Sequence, residues 1–505
     1  MSPVAARLAQ HRALLIFLLL LAFSVRVYDL ERMPPFVALE EADHGINARR
    51  IMAGGVPNPF TVGALLLPNT ALLPFAASMA LYGDSLWGLR VAQVAIGMAS
   101  IAVAYVLGRD LLGTRPALVG ALLLALLPVH VHFSRLGVSM LQGVLVVQLA
   151  TLIVWRVSRQ PRPWGFLFAG AVAAGAFYTY QSSRLALILS PAAVAYLALA
   201  GRLKGLATLR QVGLWGAGLL LGALPILSFY VEQPGTFLVN TEDVWVLTPR
   251  NWQALLAEAA NSPLEALGLQ IKRITLGVAS GRDACHLYGA PGGLLGPLPF
   301  TFAVVGAACA VVGVRQPRYG LLLLWLGAGL VLAGVLTTRQ PYSCRLMVAL
   351  PPLALMAAVG ALSLSNRLPR PLGWAPGAIL GASLVYQLVF GYFMDYRATD
   401  YPSQRAHTDL ARAIRQFEGS ADVVVAGPPY ASNSSPAIFL GVRKLPRDLR
   451  PEEPFRPTNT TALIVLPEQK GRVAQLQASG DLRVEPWPFP SEHFTVWGVE
   501  PAAAR

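Results

Sequence analysis

Long apolar runs recur from the start of the chain to residue 392, most of them only a few residues apart. A membrane span needs about 20 mostly apolar residues. Runs of that kind lie at 13–30, 88–108, 116–133, 139–155, 164–181, 184–200, 211–230, 294–314, 318–336, 345–363 and 372–392. The bilayer offers no water to free peptide groups, so such runs fold as helices. The chain therefore reads as an α-helical polytopic membrane protein, a compact bundle of about eleven spans. Its charge content agrees: 13% of the residues are Asp, Glu, Lys or Arg, against about 25% in soluble domains.

The net charge of +14 raises the question of nucleic acid. The basic residues stand singly or in small groups between apolar runs, with no basic stripe and interleaved aromatics, so nucleic acid is excluded as a partner. They report sidedness instead. With the N-terminus in the cytoplasm, the inner segments hold fourteen Lys and Arg, among them Arg109, Arg156, Lys204 and Arg315. The short outer turns hold four, Arg135, Arg184, Arg339 and Arg345. That is the positive-inside bias. The expectation is a multi-pass protein of the cell inner (plasma) membrane, with the lipid bilayer as its surroundings. The apolar stretch at 13–23 after Arg7 and Arg12 reads as a retained signal anchor, because no clear cleavage site follows.

Residues 62–82 are nearly long enough to span. A span there would reverse the charge bias of every later loop, and Pro68, Asn69 and Pro74 interrupt the run. It reads as an interfacial or re-entrant segment. The domain scheme is then a transmembrane domain over 1–392, with outer loops at 31–87 and 231–293, and a C-terminal extracytoplasmic domain over 393–505. The C-terminal pattern is α/β: a helix at 403–418, strands at 422–427 and 461–467, a helix near 468–478, and strands near 482–487 and 493–499. A small α/β sandwich packed on the outer face is expected. It carries no GxGxxG or P-loop, so nucleotide binding has no support. Cys285 and Cys344 both fall on the outer side, as a disulfide or as two free thiols, and Cys309 lies within an apolar run.

The first outer loop begins PPFVALEEADHGINARRIMAGG. Pro34 and Pro35 permit a helix to start after them. A helix over 39–51 puts Glu40, Asp43, His44 and Asn47 on one face. Carboxylates this close repel one another and raise at least one pKa, which suits a general base at the membrane surface. The bland alternative is a solvated helix end, since Asp and Glu favour the first turn. A divalent metal on Glu40, Asp43 or His44 is a further alternative, although the segment supplies no complete ligand set; no cofactor is certain.

The second feature is a group of cations at the outer ends of spans: Arg135, Arg184, Arg339 and Arg345, with Arg282 and His286 on the same side. Arginine matches phosphate oxygens with a bidentate fork. The alternative is anchoring to lipid headgroups. Tyr178, Tyr180, Gln181 and Ser182 form a polar aromatic edge beside Arg184, either belt residues or a cavity lining. His130 and His132 read as structural interfacial histidines.

Taken in order, PPFVALEEADHGINARRIMAGG, YGDSLWGLRVAQVAIG, LLPVHVHFSRLGVSMLQGVL, FYTYQSSRLALIL and RLMVALPPLALMAAVGAL resemble the GT-C class of multi-span glycosyltransferases over roughly residues 20–365. The nearest branch is the bacterial relatives of protein O-mannosyltransferases and lipid A aminoarabinose transferases (glycosyltransferase family 39-like). The resemblance implies a GT-C-like bundle. It implies inverting hexosyl or pentosyl transfer from a polyprenyl-phosphate-linked sugar donor to a protein, lipid or glycan acceptor. The family's Asp-Glu pair corresponds to Glu40 and Glu41 here, so the role of base falls on Glu40, one methylene longer than Asp, with Glu41 able to share it. The acid that many members carry after the second-loop arginine has no counterpart in LGVSMLQG after Arg135. By resemblance, Arg184, Arg345 and His286 belong to the lipid-phosphate pocket. The competing reading is a catalytically inactive scaffold or a transporter in envelope assembly. Transport is disfavoured because ionisable residues sit at span ends and no halves repeat.

Overall fold

The computed structural model describes residues 3–63, 66–160, 162–203, 206–281, 283, 285, 292–396, 402–427, 434–441, 446–450 and 452–501. Among them, eight helices are long and apolar enough to cross a membrane: Ala9–Val27, Leu86–Leu112, Met140–Arg159, Gln181–Leu199, Leu209–Glu232, Pro317–Val335, Ser343–Arg367 and Arg370–Tyr396. Two further helices, Thr114–Leu126 and Pro128–Arg135, are together as long and apolar as a span and meet at 58°. Pro163–Phe177 and Pro297–Val312 are apolar helices shorter than a full span. Every expected run thus holds a helix, with one bent and two short. The chain is a multi-pass membrane protein.

The bend has a local cause. Pro128 has no N–H to offer the carbonyl of Leu124, and Leu127 before it is extended at φ −60°, ψ 124°. Arg26 takes up the freed acceptors, donating to Leu124 O at 3.1 Å and Ala125 O at 3.0 Å. Arg135 returns the service at the end of the first span. It donates to the carbonyls of Val25 (2.8 Å), Arg26 (2.9 Å), Asp29 (3.1 Å) and Met33 (2.9 Å). Both guanidiniums are fully buried, and both serve helix ends whose carbonyls have no partner within the helix.

Glycine sets the closest helix contacts. A Cβ on Gly306 would lie 1.8 Å from Met356 O, and one on Gly360 would lie 2.0 Å from Phe302 O. The Pro297–Val312 and Leu350–Arg367 helices therefore meet backbone to backbone. Gly170 and Gly218 do the same for the Pro163–Ala173 and Leu206–Glu232 helices.

The interrupted stretch at 62–82 contains the helix Leu73–Tyr82, ten residues and too short to cross. Its Phe75 and Met79 pack with Val37, Ala42, Ala48 and Leu89, and Ser78 donates to Gly88 O at 2.6 Å. It buttresses the helix Leu39–Met52, which carries the acidic cluster.

The C-terminal residues form a five-stranded mixed sheet in the order β2-β1-β3-β5-β4. The strands are β1 (Asp422–Ala426), β2 (Arg447–Leu449), β3 (Thr461–Val465), β4 (Leu482–Trp487) and β5 (Thr495–Pro501). β1 runs parallel to β2 and β3, and β5 is antiparallel to β3 and β4. One face takes Leu410, Ile414 and Phe417 of the Pro402–Phe417 helix, and the other takes Val473 and Leu476 of the Gly471–Ala478 helix. The expected helices and strands are present. The short strand β2 and the helix Ser435–Phe439 are additions, too brief to carry a periodic signal.

Candidate functional site

The acidic helix divides its side chains among three bodies. Glu41 turns inward to Arg90, with Nε–Oε1 at 2.8 Å and Nη2–Oε2 at 3.0 Å, and accepts the N–H of Gly137 at 2.7 Å. Arg90 also donates to Leu30 O and Phe36 O. Asp43 accepts from Ser435 Oγ at 2.6 Å. His44 donates through Nδ1 to Gly137 O at 2.8 Å and stacks on Phe75. Burial lowers the pKa of His44, against the raising influence of the Gly137 carbonyl and the Asp43 and Glu41 carboxylates. Glu40 alone of the cluster faces a cavity.

That cavity, of about 640 Å³, is mostly apolar, with Leu66, Leu185, Ile188, Leu238 and Leu332 in its walls. Arg184, Arg345 and Glu40 are set into it together with Tyr180, Tyr342 and Asp243. Arg184 donates to Thr241 Oγ1 at 2.7 Å, with its guanidinium 4.1 Å from the Phe237 ring centroid. Arg345 donates to Thr338 O at 2.6 Å and lies 4.2 Å from the Tyr342 ring centroid. Each arginine spends one arm on the protein and stacks on a ring, which fixes its plane. Burial, helped by the Asp43 carboxylate, pushes the Glu40 carboxyl up from 4.5 to about 7. A carboxyl poised near neutrality, facing two arginines across an apolar space, can exchange a proton beside a bound anion.

A second cavity of about 1060 Å³ adjoins the first, and Asp243, Val244 and Arg345 line both. Its lining is polar, with Arg250, Asn251, Glu258, Arg273 and Arg339.

Of the residues expected from sequence, Glu40, Arg184 and Arg345 share the first cavity, and Arg339 joins Arg345 in the second. Arg135 lines neither, being spent on backbone carbonyls. Tyr178 also stands apart, its hydroxyl donating to Gly222 O at 2.6 Å. Glu41 and Asp43 are committed to Arg90 and Ser435. Arg282 and His286 lie outside the described residues. The described residues hold no group of three His, Cys, Asp or Glu side chains suited to a metal ion, so Glu40, Asp43 and His44 do not form a ligand set. Cys285 and Cys344 are buried free thiols, and Cys344 lines the first cavity. Asp243, Thr241 and Tyr342 also line the first cavity and carry no motif in the sequence. They come from the 231–293 loop and a span entrance, and only the cavity singles them out.

In fold, this architecture is similar to that of solved multi-span glycosyltransferases of the GT-C class. Residues 68–230 match the sequence family described as dolichyl-phosphate-mannose-protein mannosyltransferase. ArnT from Cupriavidus metallidurans, solved bound to undecaprenyl phosphate, superposes with a TM-score of 0.57 at 12% identity, over 98% of each chain. The same protein in its apo state gives 0.55 at 11% identity, again over 98% of each chain. The archaeal oligosaccharyltransferase AglB from Archaeoglobus fulgidus, solved with an inhibitory peptide and a dolichol-phosphate, gives 0.51 at 13% identity over 98% of this chain and 74% of that one. No curated protein sequence matches the chain. At these identities the likeness is one of fold.

Proposed function

We propose that the protein is a membrane glycosyltransferase that moves a sugar from a polyprenyl-phosphate carrier to a hydroxyl of a protein, lipid or glycan. The observation that carries this is the apolar cavity lined at once by Glu40, Arg184 and Arg345. Its apolar walls suit a prenyl chain, and two arginines suit the phosphate at its head. Glu40 takes the proton of the acceptor hydroxyl. The hydroxyl oxygen forms its bond to the anomeric carbon as the bond from that carbon to the phosphate oxygen breaks. The electron pair leaves on the phosphate, where Arg184 and Arg345 stabilise the developing charge. Attack from the face opposite the leaving phosphate inverts the anomeric carbon, and the sugar is a hexose or a pentose. The adjoining polar cavity gives the sugar or the acceptor room beside Arg345.

The fold likeness and the match of residues 68–230 support the carrier class. The loop charge bias supports an N-terminus in the cytoplasm and this cavity on the extracytoplasmic side, within a transmembrane domain over 1–392 followed by an extracytoplasmic domain over 393–505. Nucleotide sugars do not reach that side, so a lipid-borne donor is required.

The test is release of radiolabelled sugar from polyprenyl-phosphate sugars by the purified full chain. Wild-type protein releases label and Glu40→Gln is slower by roughly 10²–10⁴-fold, the usual worth of a general base. A Glu40→Gln protein that transfers at the wild-type rate contradicts the proposal. An inactive scaffold predicts no release from either protein.

A further inference from the structure

The C-terminal residues grip the acidic helix along its length. Val37, at its entry, donates its N–H to Thr408 Oγ1 of the Pro402–Phe417 helix at 2.9 Å. Ser435 Oγ donates to Asp43 Oδ1 across 392 positions of sequence. The Phe439 ring lies against Gly45, where a Cβ would come within 2.1 Å of it. Arg49 lies 4.7 Å from the centroid of that ring and is itself held by Asp84 at 2.7 Å. These contacts position the one helix that brings Glu40 to the cavity.

Asp43 stands three residues from Glu40 on the same helix face. Its carboxylate therefore acts on Glu40 at short range, and Ser435 is the side chain that holds that carboxylate. From this geometry we infer that Ser435 is a positioning residue for Glu40: its hydroxyl fixes and partly neutralises the Asp43 carboxylate, so the C-terminal unit tunes the base through Asp43. The inference rests on the reading of Glu40 as the base.

The other charged and titratable groups near Glu40 have separate partners or lie across the cavity. On its own helix, Glu41 is paired with Arg90 and His44 with the Gly137 carbonyl. Across the cavity stand Tyr180, Tyr342, Cys344, Arg184, Arg345 and Asp243. The Ser435 hydroxyl is directed to Asp43 and not to these groups. Without that hydroxyl, the Asp43 charge faces Glu40 undiminished, and Glu40 keeps its proton to higher pH.

Infrared titration of the purified full chain in detergent reads this directly. The wild-type minus Glu40→Gln difference isolates the protonated-carboxyl stretch of Glu40. Ser435→Ala is expected to move its midpoint up by about half a pH unit, and Ser435→Thr to restore it. Asp43→Asn is expected to lower the midpoint, and adding Ser435→Ala to that variant to move nothing further. An unchanged midpoint in Ser435→Ala overturns the inference, as does an equal shift in the Asp43→Asn background. The base reading fails on a different result, full sugar transfer by Glu40→Gln, which leaves the infrared coupling readable.

Discussion

Glu41 and Arg90 form a two-point ion pair at 2.8 and 3.0 Å, with both side chains wholly buried. Adjacent in sequence, Glu40 and Glu41 thus differ in what surrounds them: one lines a cavity and the other is locked into the scaffold. Removing one partner of a buried pair strands the other charge and costs about 3–5 kcal/mol. Glu41→Gln and Arg90→Ala should therefore lower the thermal midpoint of the purified protein, with activity falling in step. Glu40→Gln should keep the wild-type midpoint. A stable but inactive Glu41→Gln protein would show that Glu41 shares the chemistry.

The raised pKa of Glu40 fixes the direction of a pH effect. An ordinary carboxyl at 4.5 would be a free base at pH 6, whereas a carboxyl at about 7 still holds its proton there. A protonated Glu40 cannot accept another proton, so transfer should rise with pH and reach half its plateau near pH 7. The kcat/KM profile measured between pH 5 and 9 checks this; a rate already flat from pH 5 upward would place the base elsewhere.

The arginines separate by what they touch. Arg184 and Arg345 line the apolar cavity, and Arg135 caps the first span. Loss of a hydrogen bond to a charged group costs about 1.5–3 kcal/mol, so Arg184→Ala and Arg345→Ala should weaken undecaprenyl phosphate binding by roughly 10–100-fold. Lysine at either position should restore only part, because it lacks the fork. Arg135→Ala should instead lower thermal stability and leave the affinity of the surviving folded fraction unchanged. Titration by microscale thermophoresis beside a melting curve distinguishes the two classes.

Backbone-to-backbone packing at Gly306 leaves no room for a side chain. Gly306→Val should push the Pro297–Val312 helix off its neighbour and cost about 1–3 kcal/mol or more. At Gly327 a Cβ would meet nothing within 4 Å, so this position should accept Ala without loss. Melting temperatures of the two variants check the contrast.

The helices were legible because lipid demands long apolar runs, and the central C-terminal strands because short runs rich in Val, Leu and Ile, DVVVA and TALIV, stand between polar segments. The acidic helix was legible from its prolines and the spacing of its polar residues. What each acid does was not. Glu41 depends on Arg90, 49 positions away, and Asp43 on Ser435, 392 positions away. Arg135 and Arg345 look alike in sequence, each at a span end, and only the carbonyls around Arg135 tell them apart. The bend at Leu127 has a visible cause in Pro128, which hydropathy over 116–133 does not register.

Whether one cavity brings a lipid phosphate to Glu40 can be read from an electron cryomicroscopy structure of the full chain with undecaprenyl phosphate. The phosphate is expected within hydrogen-bond reach of Arg184 and Arg345, the prenyl chain along Leu185, Ile188 and Leu332, and Glu40 facing the phosphate across the cavity. A phosphate bound where neither arginine reaches it, with Glu40 remote, would show that this cavity is not the site of transfer.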